Sequence, residues 1–240
     1  MEEMCDVLCL GELLIDFTAV KLTKSDKCLF ERNAGGAPAN VAVQLSRLGT
    51  SSGFIGKVGN DSFGRFLTRT LSQNNVSTEG VILDDDALTT LAFVQLDEFG
   101  ERTFSFYRKP GADTQLHFSE LNMELIGKCK VLHFGSLSFT HEPAKSTVLA
   151  VLEYARAKGI VISYDPNWRP HLWGSVQEGI AGMRLGLKYC NILKLSEEEL
   201  ILVTGCEDIE EGIESLIAQQ IKIALVTLGS KGSVVALPNA

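Results

Sequence analysis

Asp16 stands alone among apolar residues, in Leu13-Leu14-Ile15-Asp16-Phe17. Aimed into a cleft, such a carboxylate accepts hydrogen bonds from hydroxyl groups; at a strand end it is an ordinary turn aspartate. The stretch from Arg32 to Gly49 carries a second candidate. Gly35 and Gly36 lack Cβ atoms, which frees the backbone for positive φ and for close approach of a ligand. Pro38 suits the first turn of a helix, and Asn40 brings a donor and an acceptor to the free amides there. An uncharged amide beside those N–H groups fits a neutral polyol better than a bare anion. Arg108-Lys109-Pro110-Gly111-Ala112-Asp113 puts a base, a rigid turn and an acid close together. On composition alone it reads as a surface loop with a local salt bridge. Asp165-Pro166-Asn167-Trp168-Arg169 follows an apolar run, at the strand end where α/β sheets bind ligands. Several absences narrow the chemistry. The sequence has no G-x-G-x-x-G, no G-x-x-x-x-G-K-[ST], no H-E-x-x-H and no G-x-S-x-G. The common nucleotide loops, a zincin site and a hydrolase elbow are therefore missing.

The elements that position these groups alternate between strand and helix, the signature of an α/β fold. Val7 to Leu10 reads as a buried strand, and residues 13–17 continue as extended chain. Residues 21–31 are polar and irregular, a loop. After Pro38, Val41, Leu45 and Leu48 give one apolar stripe of a helix that Gly49 stops. Residues 52–58 predict a strand, and Asp61 caps a helix through about Gln73. The rhythm then breaks. Val81-Ile82-Leu83 is a brief strand, and Asp84-Asp85-Asp86 reads as a solvated turn. Residues 90–96 and 102–107 form a hairpin turned by residues 97–101. With residues 13–19, this region predicts a small sheet over a cleft, a lid spanning about 13–19 and 81–107. Further on, helices are expected over 120–126, 143–158, 175–188, 196–203 and 208–219. Strands are expected over 131–134, 160–164, 190–195, 221–227 and 233–237. Ser196-Glu197-Glu198-Glu199 opens a helix with ordinary dipole partners. Thr227-Leu228-Gly229-Ser230-Lys231-Gly232 is a tight turn.

The 240 residues are 45% hydrophobic and 22% charged, enough for a full core in one large domain. A net charge of −8 argues against nucleic acid or an anionic membrane as the main partner. The N-terminus lacks a signal-peptide pattern, and no apolar run is long enough to span a membrane. Six scattered cysteines without a Cys-x-x-Cys read as reduced thiols of a cytoplasmic protein.

Gly35-Gly36-Ala37-Pro38-Ala39-Asn40-Val41-Ala42, then Leu45-Ser46-Arg47-Leu48-Gly49 and Gly56-Lys57-Val58-Gly59-Asn60-Asp61-x-Phe63-Gly64, carry a resemblance. With Asp16, Arg108 to Asp113, Asp165-x-Asn167-x-Arg169 and Thr227-x-Gly229-x-x-Gly232 in order, the whole chain resembles the ribokinase-like (PfkB) carbohydrate kinases, most closely the fructokinases. The resemblance implies a mostly parallel central sheet flanked by helices, with a small β-sheet lid. It implies ATP-dependent phosphorylation of fructose to fructose 6-phosphate, with Mg²⁺ as cofactor and two copies paired through the lid. Asp16, Gly35, Gly36, Asn40, Arg108, Asp113 and Asn167 would bind the sugar. Arg169 would clamp phosphate, and Thr227, Gly229 and Gly232 would contact the nucleotide. Glu199 would reach Mg²⁺ through water, although Ser196 stands where the family has asparagine. The family's downstream Gly-Ala-Gly-Asp, whose aspartate is the general base, is absent from residues 1–240. The expectation is therefore a C-terminally incomplete kinase with little or no turnover. Related alternatives are a 2-keto-3-deoxygluconate kinase, which Asp113 disfavours because a carboxylate suits a neutral sugar, and a non-catalytic sugar-binding protein.

Overall fold

A computed structural model describes residues 5–20, 29–96, 102–219 and 221–238. Two sheets organise it. The large one is built from β1 (Val7–Leu10) and, further along the chain, from strands that alternate with helices. Between β1 and the next of these, the chain makes an excursion through β2 (Leu14–Val20) and β3 (Leu29–Gly35). It returns as α1 (Ala37–Arg47), β4 (Ser52–Gly59), α2 (Ser62–Gln73) and β5 (Ser77–Asp84). The hairpin β6 (Leu91–Leu96) and β7 (Arg102–Tyr107) follows, then α3 (Met123–Lys128), β8 (Val131–Gly135), α4 (Ala144–Ala157) and β9 (Val161–Asp165). The chain ends with α5 (Val176–Leu187), β10 (Ile192–Ser196), α6 (Glu197–Thr204), α7 (Ile209–Ala218), β11 (Ile223–Thr227) and β12 (Ser233–Ala236).

The large sheet has the order β12-β11-β10-β9-β8-β1-β4-β5, with β12 antiparallel to β11 and the other pairs parallel. Successive strands step outward on either side of β1, so the order reverses between β1 and β8. That crevice is where an open α/β sheet takes its ligand. One face packs under α4 to α7, with Leu132, Phe134, Ile162, Tyr164, Leu193, Leu195, Ala224 and Val226 almost fully enclosed. On the other face, α1 and α2 cover Cys9, Phe54 and Val58. Beyond β8 no helix among the described residues covers that second face: Val161 and Val235 are exposed, and Ile192, Ile223 and Leu225 are only part-buried.

The small sheet runs β3-β2-β6-β7. This departs from the sequence reading in two places. Residues 81–83 lie in β5 of the large sheet, paired with β4. The lid instead gains β3, so residues 29–35 are strand and not loop or turn. Their pairing with β2, from Leu14–Gly35 to Val20–Leu29, overrides a polar local pattern. The expected turn at 97–101 and most of the loop at 21–28 lie outside the described residues. In α1 the buried face is Pro38, Ala39 and Ala42, while Leu48 is 72% exposed at the helix end. Close approach to β1 and β4 favours the small residues; of the Val41-Leu45-Leu48 stripe, Val41 packs against that core, Leu45 is half-buried and Leu48 stands outside it. Asp84 is not a solvated turn residue either: it binds the buried Lys57 ammonium at 2.7 Å. The described cysteines are free thiols, three of them buried; Cys28 lies outside the described residues.

Candidate active site

The carboxyl ends of β1, β8, β9, β10 and β11 line one edge of the large sheet. Four of these strand ends bring candidate groups to it. After β1 the chain turns at Gly11 (φ 154°) into β2, which carries Asp16. Asp16 pairs across the small sheet with Asn33, and its carboxylate lies over Gly35, where any Cβ would collide with it. Gly35 is therefore required for space. Gly36 is required for conformation as well, with φ 110° and the Glu12 carbonyl where a Cβ would stand. Gly36 is the N-cap of α1 and has no side chain to cap it; the Glu12 carboxylate takes the Ala37 N–H at 2.9 Å, and Pro38 occupies the first turn. The start of α1 and the exposed Asn40 thus face the same edge as Asp16. Burial raises the Asp16 pKa above its ordinary value, and the positive charge of Arg169 opposes that rise. Arg169 comes from the segment after β9, so two distant stretches of chain meet here.

That segment is held in an unusual shape. Asn167 has φ 49°, a conformation asparagine tolerates better than most residues. Its N–H bonds the Asp165 carboxylate at 3.1 Å. The Trp168 N–H donates to Glu199 Oε1 at 2.7 Å, and the Ser196 N–H donates to Glu199 Oε2 at 2.7 Å. Glu199 is 5% exposed and closes a capping box with Ser196. Both of its oxygens are satisfied by backbone amides. It therefore ties the start of α6 to the backbone between Asn167 and Arg169. Asp165 is half of an ion pair with Lys194 at 3.2 Å. Among the described residues no group of three acids, histidines or cysteines could hold a metal ion.

Arg108 and Asp113 are brought together, with each other as partners. Arg108 Nε and Nη2 donate to Asp113 Oδ2 at 2.7 and 2.6 Å, and Thr90 donates to Asp113 Oδ1 at 2.5 Å. Arg108 also reaches Thr140 Oγ1 at 2.8 Å and the Leu137 carbonyl at 3.2 Å. This buried pair fastens the segment after β7 to the 136–139 turn after β8. Thr227 ends β11 beside Ser196. Gly229 (φ 59°) and Gly232 (φ 100°) shape the open turn that follows, and nothing would touch a Cβ at either. The turn is accessible at the far end of the same edge, separate from the Asp16–Arg169 region. Sequence reasoning missed Thr90 and Thr140, which carry no pattern. It also passed over Glu12, whose signal was a lone carboxylate directly after a buried strand.

The family model described as pfkB family carbohydrate kinase matches residues 4–239. A protein named probable fructokinase-6, chloroplastic, from Arabidopsis thaliana, is 44% identical over 230 residues, which is 94% of this chain and 60% of the relative. The chain thus spans less than two thirds of that relative's length. The fructokinase of Xylella fastidiosa with bound ATP superposes with a TM-score of 0.89 at 35% identity, covering 98% of this chain and 71% of that one. The fructokinase of Vibrio cholerae O395 bound to fructose, ADP and a calcium ion gives 0.86 at 36%, covering 99% and 75%.

Proposed function

The chain belongs to the pfkB family of carbohydrate kinases and has its ribokinase-like α/β fold, and from that premise we propose that its Asp16–Asn40–Arg169 region binds fructose for phosphorylation by ATP. The observation that carries this reading is the convergence of Asp16, the Gly36–Asn40 turn with its exposed Asn40 side chain, and Arg169 at the reversal of strand order. Asp16 accepts hydroxyl hydrogen bonds, and the Asn40 side chain supplies a neutral donor and an acceptor. Gly35 leaves room for the Asp16 carboxylate, and Gly36 lets the chain pass close to the Glu12 main chain, so that this wall can form. Arg169 lies between the sugar and the incoming phosphates, where a fixed cation stabilises the charge that develops during transfer. Asn167 shapes the bend that presents it, and Glu199 holds that bend through the Trp168 amide. Arg108 and Asp113 act as a brace behind the sugar wall. Thr227, Gly229 and Gly232 form the nucleotide edge, in keeping with the ATP and ADP in the Xylella and Vibrio relatives. Magnesium enters with the nucleotide as Mg-ATP, and no step is assigned to a metal held by this chain.

In the reaction the fructose 6-hydroxyl attacks the γ-phosphorus and loses its proton, while ADP leaves with the bridging oxygen. The residues above account for binding and charge stabilisation. Residues 1–240 hold no Gly-Ala-Gly-Asp, so binding with little turnover is expected of them. Calorimetric titration of residues 1–240 with fructose, ATP and 2-keto-3-deoxygluconate tests the reading. Fructose heat that disappears in Asp16→Ala supports it, and preference for the keto acid overturns it. Fructose binding without ATP binding favours the sugar-binding alternative. The lid is proposed as the contact between two copies. Phe17, Phe93 and Tyr107 form an aromatic ladder on one face of the small sheet, and Tyr107 is 66% exposed.

A further inference from the structure

Glu12 has no part in the reaction as described, yet its surroundings single it out. It lies between β1 and β2 and is 3% exposed. Its Oε1 accepts the N–H of Ala37, the first residue of α1, at 2.9 Å. Its Oε2 is enclosed and has no hydrogen-bond partner among the described residues. Its main chain is equally close, since a Cβ on Gly36 would collide with the Glu12 carbonyl oxygen. One residue therefore touches both ends of the excursion that carries Asp16 out and returns at Gly36. The charged groups facing it are Arg108, after β7, and Asp113, in the following turn; α1 adds the positive pole of its N-terminus.

We propose that Glu12 is a positioning residue of the sugar site, holding the first amide of α1 so that Gly36 and Asn40 meet the hexose. The inference rests on the reading of that site as a sugar site. The carboxylate form is the effective one. A charged acceptor binds an N–H more strongly than a neutral acid does, and the anion offsets the helix pole. Burial opposes the charge and raises the pKa of Glu12 to about 7; its own backbone amide, that of Ala37 and the charge of Arg108 pull it down, and Asp113 pushes it up. The grip on α1 therefore changes across the neutral range.

Amide NMR and calorimetry on residues 1–240 test this. In the sugar-free protein, the Ala37 amide shift moves with a midpoint near pH 7, and in Glu12→Gln it does not. Glutamine keeps an acceptor for Ala37 but cannot ionise. Fructose affinity rises about fivefold from about pH 6 to about pH 8 in the parent, the difference between a charge-assisted and a neutral hydrogen bond. In Glu12→Gln it stays at the lower value throughout. A flat Ala37 amide in the parent overturns the proposal without any variant or sugar. A titrating amide with the same fructose profile in parent and Glu12→Gln overturns it too. A titrating amide with no fructose binding at any pH overturns the sugar-site reading, and the positioning role falls with it.

Discussion

The Arg108–Asp113 pair is the place where changing one charge does most harm. Both side chains are almost fully enclosed, so removing the acid strands a buried cation. Asp113→Ala is expected to destabilise the protein by about 3–5 kcal/mol, measured by urea unfolding. A loss under about 1 kcal/mol would mean that solvent reaches the pair. Glu12 gives the opposite sign. Burial lifts its folded pKa from 4.5 to about 7, so its favourable contribution is complete below the unfolded value and is lost as pH rises through about 7. Glu12→Gln should then be more stable than the parent at about pH 8, by roughly 3 kcal/mol, with the gap closing towards about pH 4.5. Thermal melts across that range give the answer, and a gap that does not vary with pH would refute it. A side chain kept at a cost to stability fits its proposed duty at the sugar wall.

Helix starts were the most legible elements, because their chemistry is local. Asp61 was expected to cap α2, and its carboxylate takes the Phe63 and Gly64 amides. It also takes the Thr89 amide and hydroxyl from the segment before β6, which no local pattern announces. Burial works to raise its pKa, but the Thr89, Gly64 and Phe63 donors outweigh that and hold it below the ordinary value. Its contribution is thus present above the unfolded pKa and fades as acid is added. Asp61→Asn should cost about 1–2 kcal/mol at neutral pH and less under acid, read from melting curves at both. Strand β3 was not legible. Leu29-Phe30-Glu31-Arg32-Asn33-Ala34-Gly35 is polar at its centre, and only the partner strand β2 decides its conformation. The site followed the same rule. Asp16, Gly36, Asn40 and Arg169 could be picked out by residue type and order. That Arg108 and Asp113 spend their bonds on each other, and Glu199 on two amides, depends on strand order that spacing does not encode.

At the scale of the molecule, the large sheet is covered unevenly. Val161, Ile192, Ile223, Leu225 and Val235 leave an apolar strip open beside the edge strand β12. An open strip beside an unpaired edge invites association between copies. Sedimentation of residues 1–240 should reveal concentration-dependent species larger than a dimer, which Val235→Lys suppresses. Tyr107→Glu should remove only the lid-paired dimer. Equal response to both substitutions would argue against two separate contacts. The lid also has a mechanical character. The chain enters it at Gly11 and leaves at Gly36, and the two points touch: a Cβ on Gly11 would lie 2.7 Å from the Pro38 ring. The β2–β3 half of the small sheet is thus tethered to the large one at a single place: its two connections lie side by side, while α1 just beyond them is anchored on β1 and β4 through Ala39 and Ala42.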